Sequence, residues 1–234
     1  MYNHIAANLE AVRARIAAAA ARAGRDSGSV TLVAVTKTHP AEAVAAALAA
    51  GVTDIGENKV QEAVPKFDAL RALGVARVPR RHLIGHLQTN KAKPAALNFD
   101  VVHSVDSARL ARDLGRHAIA AGRTLDVLLQ VNVSGEDTKS GVEPCDLAAL
   151  IGAVRDDAPG VRVRGLMTMA PLVDDPEDVR VFFRDLRLLA AAAWEDFPEL
   201  AAGDPPELSM GMTNDFEVAV EEGATLVRVG SAVF

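Results

Sequence analysis

The sequence predicts an α/β fold: a single (β/α)8 barrel of the TIM type spanning residues 1–234, with an extra helix at its N-terminus. Three observations carry that expectation. Eight short apolar, β-rich runs recur along the chain, helical patterns fill the gaps between them, and no linker or composition shift divides the 234 residues. Strands that alternate with helices pair in parallel through crossovers, and eight such units in a chain of this size suit a closed barrel. A doubly wound open sheet is the alternative. The strand count and the lack of a glycine-rich first turn weigh against it.

The first element is a helix. In MYNHIAANLEAVRARIAAAAARAG, Ile5, Leu9, Val12 and Ile16 mark one helical face, and Gly24 ends it. Glu10, Arg13, Arg15 and Arg22 interrupt the alanines, so the segment lacks the apolar centre of a signal peptide. Strands are expected over 30–36, 52–55, 81–85, 99–105, 125–133, 161–169, 207–210 and 225–229, the second and seventh being the weakest. Helices are expected over 41–50 after Pro40, over 58–73 before Gly74, and over 107–121 between Asp106 and Gly122. Others open at Pro144 and at Asp175–Pro176, and the last runs over 214–222 between Thr213 and Gly223. Proline at a helix start and glycine past its end is the usual asymmetry. The loop at 197–207 is the richest in Pro and Gly. Because the chain stops just after strand eight, the N-terminal helix is expected to fill the place of the missing last helix.

Composition excludes several classes. The formal charge is −6 and aromatics make up 4%, with no Lys/Arg-rich run interleaved with aromatics, which argues against nucleic acid. Cys145 is the only cysteine, so no disulfide forms within the chain, and a reducing compartment is expected. No uncharged apolar stretch approaches the ~18–20 residues that span a bilayer. A cytoplasmic protein without membrane contact is the expectation.

Active sites of such barrels sit at the C-terminal ends of the strands. The candidates there are Lys37; Glu57 and Asn58; His86 and Gln88; Ser104; Asn132 and Ser134; Thr168 and Met169; Ser209 to Met212; and Arg228 to Ser231. Lys37 at the mouth of an apolar barrel would be partly desolvated and would present a nucleophilic amine for imine formation. A lysine snorkelling over the rim is the plainer alternative. Ser209, Gly211, Gly230 and Ser231 fall after strands seven and eight, where barrels often cradle phosphate with backbone N–H groups and small hydroxyls. A lysine and a phosphate cradle together suggest an aldehyde that carries a phosphate. In TLVRVG, Leu226 and Arg228 share one strand face and Val227 and Val229 the other, so Arg228 can face a bound ring. His82 and His86 straddle a strand end without a glutamate between them, so no metal site is expected.

The motifs LVAVTKTHP, IGENKVQEA, RHLIGHLQTNK, VHSVDS, LLQVNVSGEDTKSGV, RGLMTMAP and LSMGMTNDFEVAVEEGATLVRVGSAVF resemble, in order and nearly end to end, the pyridoxal 5′-phosphate homeostasis protein family. That family is also called the proline synthetase co-transcribed homologues. The resemblance implies the fold type III barrel seen at the N-terminus of alanine racemase, with pyridoxal 5′-phosphate (PLP) held by a Schiff base to Lys37. It further implies phosphate contacts from Ser209, Gly211, Gly230 and Ser231, with Arg228 at the pyridine nitrogen and Asn58, His82 and Met212 lining the ring more loosely. Ser231 stands where the family usually has threonine, and MTND replaces the commoner Met-Ser-x-Asp; both keep a hydroxyl. The chain stops at Phe234, slightly early for the family.

The expected function is storage or delivery of PLP in vitamin B6 homeostasis, without turnover and with no catalytic residue. An arginine at the pyridine nitrogen leaves it unprotonated and weakens the ring as an electron sink. The tyrosine that alanine racemases use as second proton donor has no counterpart, since the only tyrosine is Tyr2. A minimal PLP-dependent amino-acid racemase is the alternative, and a class I aldolase acting through Lys37 a more distant one. The partners expected are PLP and PLP-dependent apoenzymes as acceptors, with a monomer as the resting state.

Overall fold

The computed structural model describes residues 2–75, 77–136, 140–200 and 205–234. Its eight strands close into one barrel in chain order. They are β1 (Thr31–Val35), β2 (Asp54–Glu57), β3 (Arg80–Leu83), β4 (Val101–Val105), β5 (Leu125–Gln130), β6 (Val161–Met167), β7 (Glu207–Ser209) and β8 (Leu226–Val229). Every pairing is parallel, and β8 closes on β1 from Thr31↔Leu226 to Ala34↔Val229.

The helices are α1 (Asn3–Arg22), α2 (Ala41–Ala49), α3 (Val60–Ala72), α4 (Ala92–Asn98), α5 (Ala108–Ala120), α6 (Leu147–Asp157), α7 (Arg180–Asp196) and α8 (Phe216–Glu221). Helices α2 to α8 each follow a strand. Helix α1 closes the outer ring between α8 and α2, the place the sequence suggested. It packs against both and buries Ile5, Leu9, Val12 and Ile16. Its first turns also hold the chain end: Asn8 Nδ2 donates to the Val233 carbonyl at 3.1 Å, and His4 Nε2 lies 3.2 Å from the Phe234 carbonyl oxygen.

The sequence reading missed α4. Seven residues with Pro94 in the first turn are too few to display a helical period. Strand β5 ends at Gln130 and β6 at Met167, short of the expected 133 and 169, because their ladder partners stop there. The last helix starts at Phe216 after a tight turn. Of the Pro/Gly-rich loop over 197–207, positions 201–204 lie outside the described residues, as do 137–139 of the GEDTKSGV motif.

The apolar core is two-layered. A large cluster lies between the barrel wall and the helices and includes Val227 and Val229. Inside the barrel the apolar cluster is small: Val33, Leu128, Met167 and Leu226, with Met169 against it. The alternation in β8 therefore runs as its sequence indicated, with Leu226 and Arg228 inward. Much of the remaining interior is polar, and that polarity defines the site. Among the described residues no helix is long and apolar enough to cross a membrane.

Candidate cofactor-binding site

A cavity of about 390 Å³ opens at the C-terminal end of the barrel, within the usual range for small-ligand pockets. Six of the nine expected residues line it: Lys37, Asn58, Met212, Arg228, Gly230 and Ser231. Val35, Ile84, Gly85, His86, Met169 and Thr213 complete the wall. The other three, His82, Ser209 and Gly211, are not on it.

Lys37 reaches the rim by a turn. Strand β1 ends at Val35, and the His39 amide donates back to the Thr36 carbonyl at 3.1 Å. Thr38 has φ +66°, the only positive φ outside glycine among the described residues. Negative φ at Lys37 and positive φ at Thr38 make this a type II turn, which normally places glycine at the third position. A β-branched residue there costs about 1–3 kcal/mol. The turn sets Lys37 at the rim of the cavity, where the residue is exposed, more open than the buried strand end that the sequence suggested.

The opposite rim comes from the loops after β7 and β8. The Asp215 carboxylate accepts from the Met212 amide at 2.5 Å and folds the first loop back on itself. Gly211, at φ +88°, lies so close to α8 that a Cβ would stand 2.5 Å from that of Ala219. Its role is to let this loop hug the helix. The Ser231 hydroxyl lies 3.3 Å from that of Thr213, so two hydroxyls converge where small residues were expected. At Gly230 a Cβ would press on Val35 at 3.3 Å. Thr213 entered the sequence reading only as a helix cap; its position two residues after Gly211, in the loop that follows the seventh strand, was the available signal.

Beneath the cavity a hydrogen-bonded chain crosses the barrel. Arg228 donates to Ser209 Oγ at 2.5 Å and to the Thr168 carbonyl at 2.8 Å. Ser209 Oγ lies 2.9 Å from His103 Nδ1, His103 Nε2 lies 2.8 Å from His82 Nδ1, and His82 Nε2 lies 2.9 Å from Asp54 Oδ1. The proton positions follow from the two ends. A guanidinium only donates, so Ser209 accepts from it and gives its own proton to His103. Neutral His103 then carries its proton on Nε2 and donates to His82, which in turn donates to the Asp54 carboxylate. One direction satisfies every link.

Two expectations change accordingly. His82 is fully buried inside the barrel and does not line the ring site, and the Ser209 hydroxyl is turned inward to Arg228 and His103. Both side chains point inward from their strands, and strand-end position alone does not separate inward from rim. His103, in the middle of VVHSV, was missed because nothing in its own segment indicates a partner.

The electrostatics fit this arrangement. Burial brings Arg228 down to about 10, against the opposing pull of Asp215, so it stays charged at neutral pH. Burial pushes Asp54 up, but hydrogen bonds from His82 and Thr53 and the nearby charges together hold it below the usual carboxylate value. Burial, then the fields of His82, Arg228 and Arg80, hold His103 well below the ordinary 6.5. The unfolded chain therefore binds a proton on His103 below that value while the folded barrel refuses it, so stability falls as the pH drops through 6.5. The unfolding free energy should decline from about pH 7 to about pH 5.5, with a slope approaching about 1.4 kcal/mol per pH unit, and Tm should fall with it. His103→Asn should flatten the decline, and a wild-type Tm constant over that range contradicts the assignment.

The family model for the N-terminal domain of alanine racemase matches residues 7–234, which sets the class of this barrel. Within that class, the chain belongs to the pyridoxal phosphate homeostasis protein family. It is 42% identical to the pyridoxal phosphate homeostasis protein of Aquifex aeolicus, covering 97% of this chain and 95% of that one. It is 45% identical to the protein of the same name from Pseudomonas aeruginosa, covering 98% and 94%. Among solved structures, PipY of Synechococcus elongatus PCC7942 with PLP bound superposes with a TM-score of 0.83 at 38% identity, covering 98% of this chain and 99% of that one.

Proposed function

We propose that this protein binds PLP in the mouth cavity through Lys37 and serves vitamin B6 homeostasis, storing the cofactor or handing it on without turnover. The observation that carries this is the convergence of Lys37, Arg228, Gly230 and Ser231 on one cavity, in a chain of near full-length similarity to PipY, whose structure holds PLP.

The residues present fit the group. When bound, PLP supplies an aldehyde that condenses with a lysine amine. Lys37 offers that amine at the rim. Thr213 and Ser231 hold two hydroxyls at phosphate-binding range of one another, and Gly230 keeps the backbone bare beside them. Arg228 uses one N–H on Ser209 and one on Thr168, leaving others of its five for the ring. A donor there would keep the pyridine nitrogen unprotonated. Asn58 and Met212, which line the cavity, would flank the ring. Ser209, Gly211 and His82 act at one remove: Ser209 orients Arg228, Gly211 shapes the loop, and His82 extends the chain to Asp54.

The same features argue against racemisation. Among the described residues no carboxylate lines the cavity, and Tyr2, the only tyrosine, is not on its wall. The open, shallow mouth suits a cofactor that enters and leaves, with PLP-dependent apoenzymes as its acceptors. We place this role in the cytoplasm and take the working unit to be a monomer. The test is to incubate the protein with PLP, fix it with borohydride and map the modified residue by mass spectrometry. One adduct at Lys37 is expected; uptake at other lysines only, or none, overturns the reading.

A further inference from the structure

We propose that Glu57 and Lys66, from β2 and α3, are positioning residues that hold the turn presenting Lys37. This rests on the reading of Lys37 as the PLP-binding lysine, but the contacts stand apart from the cavity. Lys66 Nζ donates to the Thr36 carbonyl at 2.6 Å and to Glu57 Oε1 at 2.5 Å. The Thr36 hydroxyl donates to the same carboxylate oxygen at 2.6 Å. Glu57 is fully buried, and only a tenth of the Lys66 side chain is exposed.

The pair sits behind the barrel wall. Asp54 faces inward, so Glu57, three residues on, faces the helices, where α3 brings Lys66 to meet it. The Thr36 carbonyl is the first residue of the type II turn, so it accepts both from His39 N and from Lys66. That turn carries a threonine where glycine is favoured and needs an outside hold. An ammonium on its first carbonyl supplies one, and the carboxylate fixes both the ammonium and the Thr36 hydroxyl. A buried ion pair is a poor source of stability, since desolvation offsets its attraction. Its use here is to fix one geometry next to the reactive amine.

Removing one partner alone would strand a buried charge, so the test removes both with Glu57→Gln/Lys66→Met. Two readouts are taken: hydrogen exchange of the His39 amide without PLP, and PLP affinity with the adduct mapped to Lys37. The double variant should exchange His39 about tenfold faster or more and bind PLP about tenfold more weakly. Adding Thr38→Gly, which adopts the turn unaided, should restore affinity in the same background. Unchanged His39 exchange overturns the proposal whether or not PLP binds. Weakened binding that Thr38→Gly does not restore also overturns it, since the pair would then act other than through the turn. Wild-type protein that takes up no PLP at Lys37 refutes the functional reading instead, while His39 exchange still decides whether the pair holds the turn.

Discussion

Gly165→Ala should cost the barrel more than about 3 kcal/mol of stability, seen as a large fall in the denaturant midpoint. Strand β6 carries Gly165 opposite Glu207 of β7, and the ladder shifts register beside it, between Val127 and Leu128 of β5. A Cβ built there would stand 1.8 Å from the Glu207 carbonyl oxygen and 2.6 Å from its carbonyl carbon. These are backbone atoms, so no rotamer change relieves the clash. Strand β7 must move, and it is a poor strand to displace. It has only three residues, and its register with β8 rests on the single pair Ser209↔Leu226. Displacing it also moves Ser209 and so releases Arg228. The expected result is a protein that unfolds at much lower denaturant and loses PLP affinity with it. A midpoint equal to wild type would show that β7 can yield without opening the barrel.

Much of this architecture is legible in the sequence because it is local. Ile5, Leu9, Val12 and Ile16 announce α1 by their spacing, and Leu226 and Arg228 announce their inward face by alternation. Lys37 stands out because a charge ends an apolar run. The polar chain is different in kind. Asp54, His82, His103, Ser209 and Arg228 come from five strands and are brought together only by barrel closure. Alternation says which face each occupies, not which of them meet across the interior. Lys66 shows the same limit from outside. In VQEAVPKFDALRA it reads as one more charge on a helix surface. Its burial depends on Glu57 pointing outward from a strand end, which no pattern within α3 reports.

Arg228→Met should separate binding from stability: PLP affinity falls by roughly 10–100-fold while the unfolding free energy stays within about 1 kcal/mol of wild type. The stability terms oppose one another. Loss of the guanidinium strips the Thr168 carbonyl of its donor and removes one bond from Ser209, which costs about 1–3 kcal/mol for the stranded group. Against that, Arg228 is a fully buried cation whose desolvation depresses its own pKa to about 10, and an apolar side chain of similar length avoids that penalty. Ser209 keeps its bond to His103, so the rest of the chain to Asp54 survives. Binding has no such compensation, because under the proposed function Arg228 would be a charged donor to the ring and methionine has nothing to replace it. Equilibrium dialysis against PLP and a denaturant titration on the same variant decide the matter. Lost stability with unchanged affinity would make Arg228 a structural residue and leave the ring nitrogen without its proposed partner.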